Sequence, residues 1–315
     1  MLRVVDLSQA SDAPDVASPP GVIVAHGSLT NEFWLNAATF TLTDKPYSDR
    51  RVITVHSVPE VLAEVTQRCQ RWPQASAMCD DVLRVVDPAG ATLAGVVTES
   101  LAYSTLQAGP EFARWLENRG PGVVPGTTDA VLVQRDQDIL RIRFNRPHRH
   151  NAFTTDVRSA LLEALIVAQL DPSVRGIVLS GNGPSFCSGG DLAEFGTFAD
   201  PVSAHFARTR HSPALVLDEL AASLGGACRA EVHGQVLGSG LEMAAFCGRV
   251  VAHPESVFGL PELSLGLIPG AGGTVSITRR IGRWRTAYLI LSGRTIDAET
   301  ALAWGLVDAM STAGG

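Results

Sequence analysis

Residues 230–253, "AEVHGQVLGSGLEMAAFCGRVVAH", run strand, glycine turn, helix, strand in one short stretch. A second stretch, "VRGIVLSGNGPSFCSGGDLAEF" (174–195), follows the same plan. Its "RGIVLSG" is an apolar strand, and Gly189-Gly190 precede an expected helix that Asp191 and Glu194 would cap as a capping box. Repeated strand–strand–helix units of this kind restrict the chain to an α/β fold.

The flanking segments agree. "AVLVQRDQDILRIRFNRP" gives two alternating apolar runs around a polar turn, a hairpin pattern. "TTDVRSALLEALIVAQLD" opens with hydroxyl and acidic caps and continues with helical spacing. "SGRTIDAETALAWGLVD" predicts a helix capped by Asp297 and closed at Gly305. The Gly- and Pro-rich stretch 120–128, "GPGVVPGTT", reads as a linker between residues 1–119 and 129–315.

Residues 1–119 read as a small α/β segment of unassigned role. "RVVDL", "GVIVAHG" and "RVITVHSV" are short β-branched runs bounded by Gly, Pro, Ser or Asp, and predict strands. "PEVLAEVTQRCQRW" predicts a helix starting at Pro59, with Val61, Leu62 and Val65 on one face. "GVVTESLAYSTLQAGPEFARWLENRG" continues as one or two helices broken near Gly109-Pro110. No chemical motif stands out in this part.

The 315 residues give a prior of about two domains, and 45% hydrophobic against 18% charged residues suits a well-filled core. The net charge of −7 argues against a nucleic-acid partner, since no basic surplus is present to neutralise phosphates. Five cysteines (69, 79, 187, 228, 247) lack metal-ligand spacing and read as free thiols in a reducing compartment. The start "MLRVVDLSQASDAP" does not resemble a signal peptide, and no apolar run reaches the roughly 18 residues of a membrane span, so a cytoplasmic protein is expected. No metal-ligand cluster is evident.

Two lone carboxylates point to chemistry. Glu242 lies in the first turn of an apolar helix, with Ala245 and Phe246 where a cationic partner would stand. Glu262 is the sole charged residue of "FGLPELSLGLIPGAGG" (258–273), between Pro261 and Pro269. Buried without a cation, each would have a raised pKa and serve as a general acid or base near neutral pH. Otherwise Glu242 answers the helix dipole and Glu262 faces water. The two glycine turns, at helix starts, could aim two free N–H groups at one oxygen and form an oxyanion hole, or be tight packing.

Residues 128–315 resemble the enoyl-CoA hydratase/isomerase (crotonase) superfamily. The segments carrying the likeness are "NRPHRHNAF", "VRGIVLSGNGPSFCSGGDLAEF", "VHGQVLGSGLEMAAFCGRVVAHPESVFGLPELSLGLIPGAGGT" and "LILSGRTIDAETALAWGLVD", in family order and spacing. The resemblance implies a crotonase (ClpP-like) spiral of ββα units. It implies oxyanion-hole amides at Gly190 and Ser239, a serine standing where glycine is usual. Glu242 and Glu262 fall on the two hydratase glutamates. Simple Δ3,Δ2-isomerases usually keep the later one, so having both favours hydration of an enoyl-CoA over isomerisation by Glu262 alone.

Basic residues of the first segment make Arg146, His148 and Arg149 candidates for the CoA phosphates, against a plain solvated turn. Ser188 and Gly189 fall where the family meets the adenine end, and Ala193 where hydratases often carry lysine. The implied partner is an acyl-CoA thioester, with CoA part of the substrate and no separate cofactor. Family habit implies a homotrimer or hexamer. A non-catalytic acyl-CoA-binding or assembly subunit is the rival of another class. No nucleophile-elbow serine motif is present, and His233 reads as structural.

The sequence also departs from the family. Family members continue past "GLVDAMSTAGG" with helices that cover the site, and the expected fold lacks them. Residues 1–119 are then expected to cover the site instead. Arg229 and Glu231 share one face of an otherwise apolar strand and are expected to pair. "HFARTRHSP" (205–213) sets basic residues in the family's variable substrate loop, which suits an anionic or polar acyl group as well as a solvated loop.

Overall fold

Four β-branched runs of the first third line up in parallel: β1 (Arg3–Asp6), β2 (Ile23–His26), β3 (Phe40–Thr43) and β4 (Val52–Thr54), paired in that order, with the short helix α1 (Glu32–Ala37) between β2 and β3. This is a computed structural model, and it describes residues 2–10, 21–123, 126, 128–198 and 200–311. Every residue of β3 is buried, although its sequence, Phe-Thr-Leu-Thr, alternates as a half-exposed strand would.

Four helices follow: α2 (Val58–Arg71), α3 (Pro73–Val85), α4 (Thr92–Gln107) and α5 (Pro110–Arg119). Ser57 caps α2 by accepting from the Glu60 amide, and Arg68 and Arg71 complement the dipole in its last turn. Val61, Val65 and Cys69 form its buried stripe. The break expected at Gly109-Pro110 separates α4 from α5, with Pro110 in the first turn. Residues 124, 125 and 127 of the expected linker lie outside the described residues.

The hairpin β5 (Val131–Asp136) and β6 (Ile139–Phe144) opens the second part, followed by α6 (Thr155–Leu170), capped by Thr154, and β7 (Gly176–Gly181). Helices α7 (Pro201–Arg210) and α8 (Pro213–Leu224) intervene. Two strand–strand–helix units follow: β8 (Cys228–Val232), β9 (Gln235–Leu237) and α9 (Ser239–Ala244), then β10 (Arg249–Ala252), β11 (Val257–Gly259) and α10 (Gly273–Ser292). In each unit the first strand joins a six-stranded sheet and the second a three-stranded one. The chain continues through β12 (Ile296–Asp297), α11 (Ala298–Trp304) and β13 (Ala309–Met310). The large sheet has the order β13-β10-β8-β7-β6-β5, parallel except for β5, and the small one β12-β11-β9.

The expected capping box after Gly190 is not formed. Residues 192–196 are turns, because both acids are engaged elsewhere. Asp191 pairs with Arg146 and Arg149, and Glu194 accepts from the Thr155 amide at the start of α6. Asp297 caps α11 and Gly305 closes it. Arg229 donates to Glu231 at 2.9 Å along β8.

One hydrophobic core runs through both parts of the chain. Val65, Cys79, Tyr103 and Phe112 pack in the same cluster as Leu263, Ile277 and Leu289. The contact is close enough that a side chain at Gly270 would meet the Tyr103 ring at 2.5 Å. The first 119 residues thus reach the loop that carries Glu262. All five cysteines are free and buried. Among the described residues no helix is long and apolar enough to cross a membrane.

Candidate active site

The two glycine turns lie side by side because the strands leading into them pair. Leu237 N donates to Cys187 O at 3.0 Å, and Cys187 N to Gln235 O at 3.1 Å. Gly189 takes a φ of +94° and Gly238 of +48°, conformations that a side chain disfavours. A Cβ on Gly238 would stand 3.3 Å from Gly189 Cα and 2.6 Å from Glu262 Oε1, so glycine there is what admits the Glu262 carboxyl.

Gly190 and Ser239 follow these turns and both line a cavity of about 150 Å³. Neither amide donates to another group of the described residues. Ser239 is the first residue of α9, where backbone N–H groups have no partner within the helix. The Ser239 hydroxyl is also buried without a partner.

Glu242 and Glu262 line the same cavity. Glu242 is 1% exposed, and its Oε2 accepts from the amides of Ala271 at 2.7 Å and Gly273 at 2.8 Å. Glu262 opens a single 3₁₀ turn after Pro261, and its Oε2 is buried with no hydrogen-bond partner. Burial, then the charge of Glu99, pushes its pKa up to about 8, against the stabilising effect of its own amide.

Glu99 is the residue that sequence reasoning missed. It projects from α4, is 1% exposed, and accepts from Gly272 N at 2.7 Å, Thr274 N at 2.8 Å and Thr274 Oγ1 at 2.7 Å. Four successive amides, 271 to 274, are therefore shared alternately between Glu242 and Glu99. Burial raises Glu99 to about 7, partly countered by the Thr274 and Gly272 donors and by Arg208. Glu242 is raised well above the ordinary value by burial, then by Glu99 and Glu262, despite its two amides. Glu242 is thus raised in part by two acidic neighbours, and like charges so close disfavour ionisation of all three carboxyls at once.

The CoA candidates separate. Arg146 is 1% exposed and donates to Ala152 O at 2.5 Å and to Asp191 Oδ2 at 3.1 Å. Burial alone would raise Asp191, but the Ala193 amide, Arg146 and Arg149 hold it below the ordinary carboxylate value. The expectation that Arg146 meets a phosphate is corrected: it is enclosed and committed to Asp191. Removing it would leave Asp191 to Arg149 and the Ala193 amide and would leave the buried Ala152 carbonyl without this donor. Arg146→Met is expected to cost about 3–5 kcal/mol of stability, the usual cost of breaking a buried pair, read by urea unfolding. Arg149 reaches Asp191 from outside and is about half exposed, and His148 is exposed. Ser188 is half-buried and Gly189 buried. None of these four lines the cavity around the glutamates.

From the first part of the chain Tyr103 and Gln107 also line the cavity. Helix α4 thus contributes two side chains to the cavity wall. His233 donates from Nε2 to Gly183 O, 2.8 Å away, outside the cavity. Among the described residues no group of three His, Cys, Asp or Glu side chains is gathered for a metal ion.

Comparison with known proteins follows the same division of the chain. The family model described as enoyl-CoA hydratase/isomerase matches residues 134–313. The 2,3-dehydroadipyl-CoA hydratase of Escherichia coli is 34% identical over 177 residues, covering 56% of this chain and 67% of that protein. The mevalonyl-coenzyme A hydratase of Beauveria bassiana is 32% identical over 199 residues, covering 61% and 70%. The crystal structure of an enoyl-CoA hydratase from Mycobacterium smegmatis superposes with a TM-score of 0.52 at 28% identity, covering 58% of this chain and 70% of that one.

Proposed function

The chain belongs to the enoyl-CoA hydratase/isomerase family, and from that premise we propose that it adds water across the 2,3 double bond of an enoyl-CoA thioester. The observation that carries the proposal is the convergence of two buried carboxyls, Glu242 and Glu262, and two unengaged amides, Gly190 and Ser239, on one cavity.

The thioester oxygen would accept from the Gly190 and Ser239 amides. Negative charge develops on that oxygen as the 3-carbon is attacked, and preorganised donors there are worth about 3–4 kcal/mol each in related holes. Glu242, held on one oxygen by Ala271 and Gly273, takes a proton from the attacking water through its other oxygen. Glu262 gives its proton to the 2-carbon. The water O–H, the Glu262 O–H and the C2=C3 π bond break, the C3–O, C2–H and Glu242 O–H bonds form, and the proton gained by Glu242 returns to Glu262 to complete the turnover. His148, Arg149, Ser188 and Gly189 would meet the CoA moiety outside the cavity.

One observation favours the second reading, double-bond isomerisation by Glu262 alone: its Oε2 is free while Glu242 is tied to backbone amides. The pH profile separates the two. Hydration needs Glu262 protonated, so activity falls above about pH 8; isomerisation needs it ionised first, so activity rises through the same range. Loss of absorbance of a conjugated 2-enoyl-CoA, followed from acid to alkaline pH, is the test. Absence of any turnover across chain lengths would defeat both readings.

A further inference from the structure

The cavity also holds two guanidinium groups that hydration does not use, Arg158 on α6 and Arg208 on α7. Arg208 donates from Nε to Ser100 Oγ at 3.1 Å, from Nη1 to Gln107 Oε1 at 3.1 Å, and from Nη2 to Ser104 Oγ at 2.5 Å. Its Cζ lies 4.3 Å from the ring centroid of Tyr103. All these partners are uncharged and all stand on α4. The cradle fixes the group without neutralising it, and leaves one N–H on each terminal nitrogen.

Arg158 lies 5.8 Å from the ring centroid of Phe198 and makes no hydrogen bond or ion pair among the described residues. Four acids line the cavity, Glu242 and Glu262 described above and also Asp191 and Glu194, and none forms an ion pair with Arg158 or Arg208. Asp191 is taken by Arg146 and Arg149, and Glu194 by the amide and hydroxyl of Thr155, and neither is within ion-pair distance of Arg158 or Arg208. Two half-buried cations thus face one cavity without a counter-ion in contact. Partly desolvated charges left unpaired are costly, and a planar guanidinium is shaped for a carboxylate.

We propose that Arg158 and Arg208 form a subsite for a carboxylate at the far end of the acyl group, so that the substrates are CoA thioesters of unsaturated dicarboxylic acids. This rests on the hydration reading above. A CoA phosphate has related chemistry, but the groups stand in the cavity of Glu242 and Glu262, where the acyl group would lie.

The test compares kcat/KM for matched carboxylate-terminated and methyl-terminated 2-enoyl-CoA thioesters over a range of chain lengths. A charge-assisted contact of about 1.5–3 kcal/mol predicts a preference of about 10–100-fold for the carboxylate. Arg158→Gln and Arg208→Gln are each expected to lower that ratio about tenfold; damage common to both substrates cancels within a variant. Equal turnover, or preference for the methyl terminus, overturns the proposal. So does an arginine effect that appears only on comparing CoA with pantetheine thioesters, which would assign the cations to phosphate. Calorimetry with saturated dicarboxylic and monocarboxylic CoA thioesters reads the same subsite without turnover. Tighter dicarboxylate binding in a protein that hydrates nothing would uphold the subsite and reject the hydratase; equal affinity rejects the subsite.

Discussion

Glu262→Gln is expected to lower kcat by about 10²–10⁴-fold in hydration of a 2-enoyl-CoA, with KM little changed. The amide fills the same space but cannot deliver the proton to the 2-carbon. Turnover at the wild-type rate would remove Glu262 from the chemistry. The same substitution has a signature in stability. Burial raises Glu262 from 4.5 to about 8, so the folded state favours its neutral form. That contribution is complete below the unfolded pKa and is lost as pH rises through about 8. A glutamine stays neutral, so the variant's thermal midpoint should decline less than that of the wild type between about pH 5 and about pH 9.

Glu99 gives the second large effect. Glu99→Ala leaves the Gly272 amide, the Thr274 amide and the Thr274 hydroxyl without their acceptor in a buried place. Each orphaned donor costs about 1–3 kcal/mol, so urea unfolding should report a loss of several kcal/mol. The loop that it releases is the one that grips Glu242, so kcat should fall as well. Glu99→Gln removes the charge while setting its NH2 against the Gly272 or the Thr274 donors, so it too lowers stability, and the pH–rate profile is what reads the electrostatic part. The Glu99 charge is among the causes that raise both Glu242 and Glu262, and removing it should move the alkaline limb of the pH–rate profile downward. A Glu99 that matters only for packing would lower stability and leave that limb in place.

The sequence exposes what is local. Glu242 and Glu262 stand out as single acids in apolar runs, and the caps Ser57, Thr154 and Asp297 are each satisfied within their own helix. Glu99 carries the same mark, a lone acid in "GVVTESLAYSTL", yet its donors lie 173 and 175 residues further on. Arg146 misleads for the same reason: among exposed neighbours it reads as a surface cation, and its ion-pair partner Asp191 lies 45 residues away. The helix expected after Gly190 fails because its capping acids find better partners in other elements. Strand β3 escapes notice because its alternating run, Phe-Thr-Leu-Thr, is only four residues long.

The alternating grip of Glu99 and Glu242 on residues 271–274 makes the working geometry a late product of folding. One half of the grip closes over 29 and 31 residues, the other over 173 and 175. Contacts so distant along the chain bear the loop-closure entropy first and are rewarded last. Burial of Glu242 and Glu262 and their alignment therefore rest on different contacts, and the alignment is complete only with α4 in place. Competence is in this sense a property of the whole chain, conferred on the family's own repeats by a helix that lies outside them.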